Sequence, residues 1–319
     1  MKKIVCLFLV CLLLLGVTGC GTAPEDSEKI QVICTVFPQY DWVRSIIGED
    51  NKNVELTLLM DNGADLHNYQ ATVSDLMAIA ACDLFIYVGG ESDSWVADAL
   101  QNPTNPERKT LALLDVVEPL ENISVNGEEE HHHEEEEEHE HLYDEHVWLS
   151  LKNADKLVEH IAAYLGEVDP ERKETYRANG IAYREKLQEL EGRYRECVDT
   201  GKRKTMVFAD RFPFRYLAND YGLECYAAFS GCSAETEASF ATLSFLTEKV
   251  NEHDLPAVLV IETSDRSIAK TVIANSESKD QQILVVDSLQ SVTQARIDSG
   301  ETYLSIMENN LLVLKQALN

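Results

Sequence analysis

Short β-branched runs alternate with stretches whose apolar positions recur at helical spacing along most of the chain. IQVICTV (30–36) predicts a strand, and FPQYDWVRSIIG after it predicts a turn into a helix closed by Gly48. VELTLLM (54–60) predicts a second strand. DLMAIAACDLFIYVGG (75–90) predicts an apolar helix followed by a strand, and SDSWVADALQN a further helix. From 152 to 199 the pattern turns long, polar and helical, broken once near Asp169-Pro170, a natural cap and first-turn pair. About thirty helical residues there would span on the order of 40 Å, enough for a rigid strut between two lobes. Alternation then resumes with strands at 204–210, 223–229, 256–262 and 282–287, and helices near 239–253, 265–276 and 300–318. The expected fold class is α/β: two lobes, each a mainly parallel sheet flanked by helices, joined by one long rigid helix. In open α/β sheets ligands sit beyond the carboxyl ends of strands, so residues just after each strand carry the candidate chemistry.

The 319 residues, 45% hydrophobic and 26% charged, suffice for two domains of ordinary size, each with its own core. A formal charge of −29 argues against nucleic acid and against electrostatic docking on anionic lipid, and favours cations as partners. At the N-terminus, Lys2 and Lys3 precede an apolar stretch too short to span a bilayer comfortably, followed by the small-residue ending Val17-Thr18-Gly19-Cys20. That ending resembles a bacterial lipobox. The resemblance implies a signal peptide at 1–19, a lipidated Cys20 and an extracytoplasmic protein held to the cell membrane. Residues 20–29 then read as a polar tether, 30–150 as an N-terminal lobe, 151–199 as a helical linker and 200–319 as a C-terminal lobe. Removing Cys6, Cys11 and Cys20 leaves five thiols, an odd number; Cys225 and Cys232 lie close enough in sequence to pair or to be buried unpaired.

Four side chains near strand ends suit a divalent cation: His67 in DNGADLHNYQATVSD, His146 in YDEHVWLS, Asp210 ending MVFAD and Asp287 ending ILVVD. Spacing alone leaves open that the histidines are solvated loop residues and the aspartates helix caps. GADLHNYQATVSD resembles the GADPH-type first ligand motif of the cluster A-I solute-binding lipoproteins of zinc and manganese ABC importers. DEHVWLSLKNA similarly resembles that family's DPHVWLSP-type second motif. The resemblance covers essentially the whole mature chain and implies that His67 and His146 are metal ligands. A third ligand is implied five residues before a tyrosine, but FADRFPFRY puts Arg211 there, and a guanidinium has no lone pair for a metal. Asp210, shifted by one residue, water, Glu237 or, more weakly, Glu235 could stand in. Asp287 matches the fourth ligand by position, with a cap as its other role. Asp75 and Glu262 read as supporting or structural residues.

EEEHHHEEEEEHEH (128–141) holds five of the nine histidines and no apolar residue. It cannot bury a core, and its imidazoles and carboxylates suit loose, exchanging zinc binding, a collector beside a tighter cleft site. The resemblance therefore implies capture of Zn2+ (Mn2+ as the alternative cargo) and delivery to an ABC transporter permease. The carrier is expected to be a monomer and no enzyme: H-E-x-x-H and G-x-S-x-G motifs are absent. A surface zinc-storage or adhesion lipoprotein is the other reading.

Overall fold

Both sheets are parallel, as the alternation predicts, and each holds four strands. The computed structural model describes residues 29–122, 143–231, 233 and 237–319. The signal segment, Cys20, nearly all of the tether, the 128–141 run, Cys232 and Glu235 lie outside the described residues.

In the N-terminal lobe β1 (Ile30–Cys34), α1 (Phe37–Ile47), β2 (Val54–Leu58), α2 (Val73–Ala81), β3 (Leu84–Tyr87), the short α3 (Val96–Ala99) and β4 (Lys109–Ala112) follow in order. The sheet order is β2-β1-β3-β4. Sequence periodicity passes over β4, whose four residues KTLA are too few to show a period. It also overextends the helix at 92–102, which is a 3-10 turn at Glu91–Asp93 and one turn of α3.

Two helices then cross the molecule. α4 (Leu151–Val168) starts at Ser150, whose hydroxyl accepts the N–H of Asn153. After a 3-10 turn at Pro170–Arg172, α5 (Lys173–Thr200) runs for 28 residues. Its buried residues Tyr176, Gly180, Tyr183, Leu187, Leu190, Tyr194 and Val198 fall three or four apart, one stripe on an otherwise polar helix.

The C-terminal lobe holds β5 (Thr205–Phe212), α6 (Arg215–Tyr221), β6 (Glu224–Ser230), α7 (Phe240–Glu252), β7 (Ala257–Ile261), α8 (Ser267–Asn275), β8 (Gln282–Val286), α9 (Gln294–Asp298) and α10 (Tyr303–Ala317). Its order, β6-β5-β7-β8, repeats that of the first lobe. Separate cores are not what the chain builds. One apolar cluster runs from Trp42 and Leu84 through Trp148, Leu157 and Tyr194 to Phe208, Leu259 and Tyr303, so the crossing helices weld the lobes. Smaller clusters fill the outer faces around Phe85 and around Val258. Among the described residues no helix is long and apolar enough to cross a membrane.

Candidate metal site

His67 sits on a single 3-10 turn, Leu66–Asn68, in the loop after β2. Asp65 starts that turn by accepting the His67 N–H at 3.0 Å, and the buried Leu66 anchors it. The same device recurs at the second histidine: Asp144 accepts the His146 N–H at 2.9 Å and, with the same oxygen, faces its Nδ1 at 3.0 Å. Asp144 is itself pinned, since its N–H bonds Leu120 O and its carbonyl accepts the Tyr216 hydroxyl at 2.8 Å. The Trp148 ring meets the His146 ring edge-on, and its Nε1 donates to Ser288 O across the lobes.

The two imidazoles meet with their Nε2 atoms 3.3 Å apart. Two nitrogens bound to one tetrahedral zinc ion at 2.0–2.1 Å stand about 3.3–3.4 Å apart, so this is the spacing of two ligands on one ion. Both Nδ1 atoms are occupied from behind. That of His67 lies 2.7 Å from Ser92 Oγ and 3.5 Å from Glu145 Oε2, and that of His146 on Asp144. With Nδ1 held from behind in each ring, both Nε2 atoms face the space between them, and each offers a lone pair there when its ring is neutral. Burial, then the charge of neighbouring His146, lowers His67 to about 4. Burial also works against a charged His146, but the Asp144 carboxylate, with Glu145 and Asp65 beyond it, outweighs burial and raises that ring above the usual histidine value. His67 is therefore neutral at pH 7 and free to donate its lone pair.

The aspartates stand apart from this pair. Asp287 spends one oxygen on the Leu289 N–H at 2.8 Å and the other on Arg296 at 2.7 Å, which holds its own loop. Asp210 accepts the Arg211 N–H and borders a cavity of about 360 Å3 shared with Asn68 and Thr263. Glu237 is exposed. Among the described residues no three or more His, Cys, Asp or Glu side chains are arranged so that they could hold one metal ion. Arg211, at the offset where a third ligand is implied, reaches across to Asp65 with an ion pair of 2.8 Å. Burial opposes ionisation of Asp65, but the Arg211 guanidinium and the His67 N–H together more than offset it and hold its carboxyl below the usual range. Asp75 closes the capping box of α2 with Thr72, and Glu262 accepts the N–H and hydroxyl of Ser288.

The family model described as zinc-uptake complex component A, periplasmic (ZnuA), matches residues 32–317. The chain belongs to the ZnuA family. The high-affinity zinc uptake system protein ZnuA of Bacillus subtilis is 30% identical, over 99% of this chain and 98% of its own length. Zinc-binding lipoprotein AdcA of Streptococcus pneumoniae (strain R6) is 35% identical over 99% of this chain, which spans only 61% of AdcA. The Zn(II)-bound ZnuA-like domain of S. pneumoniae AdcA superposes with a TM-score of 0.72 at 32% identity, covering 91% of this chain and 99% of that domain.

In this ZnuA-family chain the structure brings together the two histidines that the motifs single out, His67 and His146. Sequence reading missed the residues behind them: Asp65, Asp144, Ser92 and Glu145. A signal for the aspartates was present, because both histidines stand in the same tripeptide pattern, Asp65-Leu66-His67 and Asp144-Glu145-His146. An aspartate two residues before a histidine is placed to accept its backbone N–H. Ser92 arrives from the loop after β3, and nothing local announces it.

Proposed function

We propose that this chain captures Zn2+ between its lobes outside the cytoplasm and delivers it to an ABC transporter permease, with no bond made or broken. The observation that carries this is the 3.3 Å approach of two imidazole Nε2 atoms, each ring backed at Nδ1. His67 and His146 are the first two ligands in this reading. Asp210 and Asp287 are kept for the remaining positions, where Asp287 would exchange Arg296 for the ion and water fills any position left open. Neutral imidazoles suit zinc, and Mn2+ is the competing cargo. Lipidation at Cys20 would tether the monomeric carrier beside its permease, and the 128–141 run would gather zinc loosely nearby.

The test is calorimetric titration with zinc and with manganese of the soluble chain from residue 25, with and without 128–141. One tight zinc equivalent should survive the deletion. His67→Ala and His146→Ala should each weaken it at least about 100-fold, more than the loss typical of a residue that only supports a ligand. Loss of tight binding on deletion of 128–141 alone would instead place the metal chemistry in that run, as a storage role requires. Manganese binding as tightly as zinc would overturn the choice of cargo.

A further inference from the structure

Glu145 occupies the middle of the second histidine motif, where the DPHVWLSP-type pattern carries proline. Its side chain does not point to solvent: the residue is 2% exposed. One oxygen, Oε1, accepts the Ser92 N–H at 2.7 Å. The other, Oε2, is buried and accepts no hydrogen bond among the described residues, yet lies 3.5 Å from Nδ1 of His67. Ser92 closes the triangle, its hydroxyl 2.7 Å from the same Nδ1.

The loop after β3 is built around this carboxylate. Gly90 has φ +104°, and a Cβ there would stand 2.5 Å from Glu145 Oε1 and 2.9 Å from its Cγ, so only glycine admits the side chain. Asp93 shapes the same turn by accepting the N–H groups of Val88 and Gly89. Gly90, Ser92 and Asp93 thus form a cradle from one part of the lobe for an acid delivered by another.

A buried carboxylate oxygen without a hydrogen bond costs stability, so its retention calls for a compensating gain in some other state. Metal binding at Nε2 supplies that state: it draws electron density from the ring and makes the Nδ1–H a stronger, more positive donor, which a carboxylate behind the ring stabilises. His146 has such a partner in Asp144; Glu145 is placed to serve His67.

We propose that Glu145, held by Ser92 and admitted by Gly90, is a positioning residue for His67 that orients its imidazole and strengthens its bond to the captured cation. The proposal rests on the reading of His67 as a zinc ligand. Two neighbouring acids, Asp144 and Glu145, then back one imidazole each, although the histidines come from loops far apart in sequence.

The experiment compares Glu145→Gln, which keeps shape and loses charge, with Glu145→Ala, Ser92→Ala and His67→Ala in the full mature chain, using zinc ion as probe. Affinity is measured by competition with a chelator, thermal stability on the metal-free protein, and Nδ1–H shifts by NMR on the zinc-loaded protein. Glu145→Gln should weaken zinc binding about 10- to 100-fold, leave metal-free Tm equal or raised, and move the Nδ1–H signal of His67 but not that of His146. Unchanged affinity would overturn the proposal, as would a parallel fall in Tm and affinity, which marks a purely structural role. If His67→Ala itself leaves zinc affinity intact, the cleft reading fails and this proposal with it. A damaging His67→Ala beside a silent Glu145→Gln removes the proposal alone.

Discussion

At the scale of single residues, Asp93 ties the candidate site to pH. It is 4% exposed, and burial, opposed by the Gly89 N–H and reinforced by the nearby Glu145 charge, pushes its carboxyl up to about 6 from an ordinary 3.8. Between those values the folded chain holds a proton that the unfolded chain has lost. Stability therefore falls as pH rises from about 4 to about 6 and is level above that, a loss on the order of 2–3 kcal/mol. Asp93→Asn keeps one oxygen for the two backbone N–H groups and cannot ionise. Urea unfolding across this range should show the slope in the wild type and a flattened one in the variant. Gly231 is the second residue with a directional consequence. A Cβ there would stand 2.9 Å from Phe212 O and 3.1 Å from His146 Cε1. Gly231→Ala should cost about 1–3 kcal/mol and weaken zinc binding by displacing the ring, measured by melting and titration side by side. The histidines were legible from their motifs, whereas Arg211 showed only that it could not be a ligand. Its partner, Asp65, is 146 positions earlier, and no local pattern reports such a pair.

Among the elements, α5 offers an internal comparison between two glycines. Gly180 lies where the helix meets α4, and an added Cβ would come within 3.0 Å of the Ala162 Cβ. Gly192 has nothing within 4 Å of its added Cβ. Replacing a helical glycine by alanine gains about 0.5–1 kcal/mol from backbone entropy where space allows. Gly192→Ala should therefore raise Tm, while Gly180→Ala should not, because the crossing must open to admit a methyl group. Calorimetric melting of the two variants decides it. The element pattern itself was readable because β-branched runs and amphipathic periods are local properties. What escaped was short: β4 and the single turn of α3 are held by pairing with β3 and by packing, not by their own sequence.

For the whole molecule, the decisive fact is that one core passes through both lobes. Tyr303 on α10 shows how closely they are joined: its hydroxyl donates to Trp148 O at 2.6 Å, its N–H donates to Asp41 on α1, and its ring meets Trp42 edge-on. Tyr303→Phe removes one buried hydrogen bond and leaves Trp148 O without that donor, so unfolding free energy should drop by about 1–3 kcal/mol in a single cooperative transition. Separate melting of the lobes would contradict the shared core. The same continuity restricts hinge motion, so scattering curves of the metal-free and zinc-loaded chain should nearly coincide.

Sequence by itself determined the order and type of most elements, the polar crossing helix with its single apolar stripe, and the two histidines, because periodicity and short motifs are written within a few neighbouring residues. Tertiary structure decided the rest. It fused the two cores, brought the Nε2 atoms to 3.3 Å, and set Glu145 behind His67. It also engaged Asp287 with Arg296 and Arg211 with Asp65. These outcomes depend on which distant segments share a small buried volume, and there burial and charge pairing act between residues that sequence distance does not relate.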